Sequence, residues 1–146
     1  MFDNRLSILA DHGDTEGRYD LVEGLVPAGF ETSLHRHTRY TEHFFVLEGE
    51  ITVWLEGRTA VLEAGESVLI PMGAAHAISV PGYGPARTLV VASPSGFARL
   101  ISEVGIADGP QPSPDAFDRG LFGRLSAELG DEVLGPPKGP APRRDG

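Results

Sequence analysis

No cysteine occurs in the chain. Disulfides are therefore excluded, and any metal site must do without thiolate ligands. No apolar run approaches the roughly 20 residues that a membrane-spanning helix needs. Met1–Leu6 shows no basic stretch followed by an apolar core, so no signal peptide is expected and a cytoplasmic protein is. Basic residues are the minority: 12 Lys and Arg stand against 21 Asp and Glu, for a formal charge of −9. That balance argues against nucleic acid and anionic membrane as partners and leaves a small molecule as the expected ligand. It does not call for a cationic ligand, because acidity often serves solubility alone. No internal repeat is apparent.

What the chain does contain is enough apolar material for one globular domain: 40% of its 146 residues are hydrophobic. Up to residue 93 it reads as strands. Leu6–Leu9, Tyr19–Val26, His43–Leu47, Ile51–Leu55, Arg58–Leu62, Val68–Ile70, Ala77–Val80 and Thr88–Ala92 are short apolar or β-branched runs punctuated by glycine and proline. Glu48–Glu50 and Glu56–Gly57 read as hairpin turns. This pattern predicts an all-β sandwich or barrel. After Ser93 the period changes. Phe97, Leu100, Ile101 and Val104 have helix spacing and Gly105 stops the run. Ile106–Pro114 reads as a linker, with Ser113 as N-cap and Pro114 in the first turn of a second helix. Phe117, Leu121, Phe122, Leu125 and Leu129 would line one face of that helix, ending at Gly130. The expected organisation is a β domain over 1–93, a helical extension over 94–134 packed on it, and a Pro/Gly-rich tail over 135–146. The two helices are too short to fold alone. Packing on the barrel or across a dimer interface is expected, and a lid over the barrel mouth is the alternative.

The chemistry concentrates in two runs, 29–49 and 65–76. His35 and His37 are two apart, so on a strand they share a face. Glu42 follows after a break, and His76 lies beyond the turn at Pro71 and Gly73. A lone histidine on a β face is ordinarily packing or surface. Here the glycines and proline around the four residues sit where turns or close backbone approach would need them. Neutral imidazoles with one carboxylate suit a divalent transition metal: Fe, Mn, Co, Ni, Cu or Zn.

These residues resemble the paired motifs of the cupin superfamily. From Gly29 the first motif runs through His35, His37 and Glu42 to Gly49, and every spacing matches. From Gly65 the second runs through Pro71 and Gly73 to His76. Its closing asparagine is replaced by Val80, which is not a metal-ligand position in the family. The resemblance covers residues 20–93. It implies a single jelly-roll (cupin) β-barrel with a short C-terminal helical extension. It also implies His35, His37, Glu42 and His76 as ligands of one metal ion, and a homodimer.

Strand alternation extends the reading. If Glu42 points inward, so do Phe44 and Val46; if His76 does, so do Ile78 and Val80. The wall beside the metal would be apolar, favouring a flat, largely apolar or aromatic organic substrate. Tyr40, between the ligands, could donate a hydrogen bond to it, whereas His43 faces away. Trp54 is expected in the core or an interface. Three functions follow. The first resembles the small quercetin-dioxygenase-like cupins, with Glu42 as the catalytic base. The second is a non-oxidative cyclase, isomerase or lyase using the metal as Lewis acid. The third is a binding cupin without turnover.

Overall fold

The computed structural model describes residues 4–105 and 117–141. Among these described residues, ten strands and three helices run in the order β1 (Arg5–Ala10), α1 (His12–Thr15), β2 (Asp20–Val26), β3 (Leu34–His37), β4 (Thr41–Glu48), β5 (Glu50–Leu55) and β6 (Arg58–Glu63). There follow β7 (Ser67–Ile70), β8 (His76–Ser79), β9 (Ala86–Ser93), α2 (Phe97–Val104), α3 (Arg119–Glu128) and β10 (Asp131–Gly135). One antiparallel sheet has the order β1-β2-β9-β4-β7 and the other β10-β3-β8-β5-β6. Between β2 and β9 the chain changes sheet at every connection except that joining β5 to β6. This is a jelly roll of eight central strands, β2 to β9, whose two sheets face one another without closing into one ladder.

Alternation decides which side chains meet between the sheets. On β9, Ala86, Thr88, Val90 and Ala92 are buried and the residues between them are not. Val46, Ile51, Val53, Ile70, Ile78 and Val80 form the main core, with Phe30 and Phe44 packed against it. The turn at Glu56 and Gly57, both at positive φ, is the expected hairpin joining β5 to β6. The segment around Gly49 is not a hairpin. β4 and β5 lie in different sheets, so the chain crosses over there. Glycine is required at that crossing because φ is +78° and a Cβ would lie 2.5 Å from the carbonyl oxygen of Pro85.

The helices settle on this frame through unlike caps. α2 has Gly96 at its N-cap and no side chain there to cap it. The cap comes instead from Asp20 on β2, fully buried, whose Oδ2 accepts from Gly96 N at 2.8 Å and Ala98 N at 2.9 Å. Ser95 Oγ donates to the other oxygen. α3 starts on Asp118, which accepts from Leu121 N. Ser113 and Pro114, expected to begin this helix, lie outside the described residues. Leu100, Val104 and Leu125 are buried between α2 and α3, with Phe97, Phe117, Leu121, Phe122 and Leu129 around them.

Two elements depart from expectation. The polar stretch after Ala10 contains a four-residue helix closed by a capping box between Asp11 and Asp14. The second helix gives way at Gly130 as expected, but the residues after it, assigned only to the helical extension and the tail, form a further strand, β10, which pairs with β3. Beyond it, Ala141 N donates to Thr52 Oγ1, and Lys138 Nζ sits 4.7 Å above the ring of half-buried Trp54. Among the described residues, no helix is long and apolar enough to cross a membrane.

Asp20→Ala should leave two amides of α2 without acceptors beneath the helix. A loss on the order of 3 kcal/mol in urea unfolding is expected; a change under about 0.5 kcal/mol would show that the remote cap contributes nothing.

Candidate metal centre

Sheet pairing brings the four residues together. His35 and His76 are direct cross-strand partners on β3 and β8. His37 is two residues along β3 on the same face. Glu42 comes from β4 in the opposite sheet, so the group spans the interior. One donor atom from each of His35, His37, Glu42 and His76 lies within 4.8 Å of all the others. The imidazole centroids are 4.2 Å apart for His35 and His76, 4.9 Å for His35 and His37, and 5.0 Å for His37 and His76. Glu42 is 4% exposed and His76 0%.

Hydrogen bonds at the far side of each ring fix its tautomer. His35 Nδ1 donates to Ser33 O at 2.7 Å, and His76 Nδ1 to Ala74 O at 2.9 Å. His37 Nδ1 donates to a carboxylate oxygen of Asp131 at 2.6 Å. None of these acceptors can itself donate, so each Nδ1 carries hydrogen and each Nε2 can offer a lone pair inward. His37 Nε2 is 3.0 Å and His76 Nε2 3.4 Å from Glu42 Oε2. Neither nitrogen has an aligned hydrogen-bond partner, although both are buried. A buried polar atom left this way costs about 1–3 kcal/mol. Three imidazoles and a carboxylate converging on one point, with two orphaned nitrogens, fit a divalent transition metal.

The electrostatics without a metal follow from the same contacts. Burial disfavours charge on His37, but Glu42 and the bond to Asp131 outweigh it and raise its pKa from 6.5 to about 9. Burial disfavours ionisation of Glu42 as well, but His37, followed by the contact with His76, holds its carboxyl well below the usual range. Burial, reinforced by His76, lowers His35 from 6.5 to about 4. His35 is thus a ready neutral donor at neutral pH, while His37 holds a proton that an incoming cation must displace.

The pocket residues divide. Phe44, Ile78 and Val80 line a cavity of about 510 Å³ that reaches His35, His37 and Glu42. Val46 does not; it is fully buried in the core beside Ile51 and Val53. Tyr40 lines the cavity, but its hydroxyl is not directed to a ligand. It donates to Asp131 at 2.9 Å, and its ring stacks on His37 at 4.5 Å. Burial, then Glu42 and Asp131, push that phenol above its ordinary range. His43 is exposed and hydrogen-bonds to Ser67 Oγ. Sequence reasoning missed Asp131, along with Gly24 and Thr88 in the wall and Phe97, Leu100 and Phe122, through which the helices close one side of the cavity. The helices therefore both pack on the β domain and wall its cavity.

Residues 21–92 match the cupin domain family. The chain belongs to the cupin superfamily. It is 36% identical over 83 residues to mannose-1-phosphate guanylyltransferase 2 of Escherichia coli O157:H7, covering 57% of this chain and 17% of that protein. It is 31% identical over 76 residues to quercetin 2,3-dioxygenase of Bacillus subtilis (strain 168), covering 52% of this chain and 23% of that one. It thus spans about a sixth to a quarter of the length of these curated relatives. Among solved structures, an RmlC-like cupin from Shewanella frigidimarina NCIMB 400 superposes with a TM-score of 0.56 at 25% identity, covering 65% of this chain and 79% of that one. Cupin relatives thus include enzymes of different classes, and the match to the domain leaves the reaction open.

Two outcomes check the site. His37→Ala should remove most of the bound metal from the loaded protein and His43→Ala none, read by elemental analysis. Folding raises the pKa of His37, so its contribution to the stability of the metal-free protein is complete below 6.5 and fades as pH rises through about 9. Over that same window metal must displace one proton, so affinity should rise by about tenfold per pH unit. Affinity independent of pH there would contradict a protonated His37.

Proposed function

We propose that the chain is a metal-dependent enzyme acting on a small, largely apolar or aromatic organic molecule, with a quercetinase-like dioxygenation as its reaction. The observation that carries this reading is the character of the cavity. The described residues lining it include no lysine or arginine. The arginines nearby are engaged elsewhere: Arg36 pairs with Glu132, Arg87 with Glu23 and Glu48, and Arg39 donates to Glu128 O. Acidic side chains, Glu31 and Glu132, stand at its exposed rim. A phosphorylated or carboxylated substrate would find no cationic side chain along the walls and only the metal itself to match its charge. The cavity therefore disfavours a sugar phosphate or a small dicarboxylate. A neutral ring system with a weakly acidic hydroxyl needs no such match.

A divalent transition metal held by His35, His37, Glu42 and His76 would supply Lewis-acid activation of a hydroxyl and redox access to dioxygen. The protein's own groups do the rest. Phe44, Ile78, Val80 and Val90 form walls that exclude water from the reacting end. Phe97 and Phe122 offer ring faces against which a flat substrate can be oriented. Glu42, the carboxylate among the four residues, is the group that would accept the substrate's hydroxyl proton. The 31% identity to a quercetin dioxygenase over half the chain supports the same reaction class.

Protein loaded separately with Fe, Mn, Co and Ni should consume dioxygen with flavonols, catechols or diketones, and the product should gain both oxygen atoms. Turnover that persists unchanged without oxygen, giving a product of unaltered mass, would overturn the dioxygenase and favour a cyclase, isomerase or lyase. Saturable binding with no turnover would favour a binding cupin.

A further inference from the structure

Two of the three imidazoles are oriented by their own strands. His35 and His76 each donate to the carbonyl two residues earlier, Ser33 O and Ala74 O. His37 has no such local tether. Its ring is fixed from the other end of the chain, 94 positions away, by Asp131. That contact is one of a series in which four consecutive residues of the ligand loop each bond to the segment 128–131. His37 Nδ1 donates to Asp131 Oδ1 at 2.6 Å. Thr38 N and Thr38 Oγ1 both donate to Gly130 O, at 3.1 and 2.7 Å. Arg39 Nη1 donates to Glu128 O at 2.6 Å, and Tyr40 OH to Asp131 Oδ1 at 2.9 Å.

We propose that Asp131 is a positioning residue of the metal centre. Its carboxylate holds the imidazole of His37 at its edge while it also anchors Tyr40, whose ring covers the imidazole face. This rests on the metal reading above and adds to it a role for the C-terminal strand, which lies outside the residues that match the cupin domain. The physical reasoning is direct. Asp131 lies opposite His37 in the β10–β3 register, so the pairing of the two strands sets its place. The same oxygen accepts both donors, so the imidazole and the phenol are locked relative to each other. A carboxylate behind a metal-ligating histidine fixes the ring's angle and makes it a stronger donor, and removing one typically weakens metal binding 10–100-fold. Gly130 makes the approach possible. Its φ is +80°, and a Cβ there would run into Thr38 Oγ1 and come within 2.9 Å of Arg39 Cγ.

The test compares full-length wild type, Asp131→Ala and Asp131→Asn for Co(II) affinity, by competition with a chromophoric chelator, and for the visible spectrum of the Co(II)-loaded protein. Unfolding midpoints of the metal-free proteins are measured alongside. Asp131→Ala is expected to weaken Co(II) binding by about 10–100-fold and to alter the ligand-field bands. Asp131→Asn keeps an oxygen that can accept both bonds but loses the charge, so its Co(II) affinity should fall between those of wild type and Asp131→Ala, with shifted bands, while the metal-free midpoint stays near wild type. A purely architectural role would move the midpoint and leave the bands of the loaded protein unchanged. If Asp131→Ala fails to fold, Asp131→Asn alone decides: a wild-type affinity and spectrum would overturn the proposal, and a shifted spectrum at wild-type stability would support it. Wild-type affinity and bands in Asp131→Ala also overturn it while leaving the metal site standing. Failure of the wild-type protein itself to take up Co(II) overturns the metal reading, and this inference with it.

Discussion

The interior of this protein is organised around one uncomfortable arrangement: three imidazoles and a carboxylate gathered within 4.8 Å in a space otherwise built for hydrocarbon. Side chains of this kind are normally left at the surface or paired off. Here they are driven together from both sheets, and two ring nitrogens are left with no aligned partner. In the metal-free protein a proton on His37 relieves part of the cost by balancing Glu42. A cation at the same point would satisfy all four donors at once. The bonds to Ser33, Ala74 and Asp131 fix the tautomers so that each Nε2 faces the same point.

The scaffold makes the gathering possible. Direct pairing of His35 with His76 sets two of the rings side by side, the two-residue period of β3 adds the third, and the facing sheet supplies Glu42. The cavity extends from there between the sheets and is finished by parts of the chain beyond the cupin match. Phe97 on α2, Phe122 on α3 and Val133 on β10 all line it. The shared domain thus supplies the metal-ligand frame, and the C-terminal segment shapes what can approach it. This division accords with relatives of quite different activity sharing the same domain.

Legibility in the sequence followed the range of the forces involved. His35, His37, Glu42 and His76 could be read because strand periodicity and the turn glycines are local, and because their spacing matches a pattern known to recur. α2 was legible to the residue, since Gly96 and Gly105 bracket a clear helical period. Phe44, Ile78 and Val80 followed from alternation. Val46 did not, because depth along a strand is set by the facing sheet, and this end of the sandwich is filled by Ile51 and Val53. The crossing at Gly49 looked like a hairpin because a glycine between two strands is the same signal whether the strands pair or part. Asp131 was hidden for the deepest reason. Nothing in the run Asp131–Gly135 announces a strand, and its partner is 94 residues away. With it went the meaning of Tyr40, whose hydroxyl is engaged by a residue that local reasoning cannot place.

X-ray absorption spectroscopy of the metal-loaded protein tests the central claim most directly, because it counts the imidazoles around the ion. Three histidine nitrogens and one carboxylate oxygen at about 2.0–2.2 Å are predicted, with the multiple-scattering signature of three rings. A first shell with one imidazole or none would show that the ion is held somewhere else, and the account of the site would be contradicted.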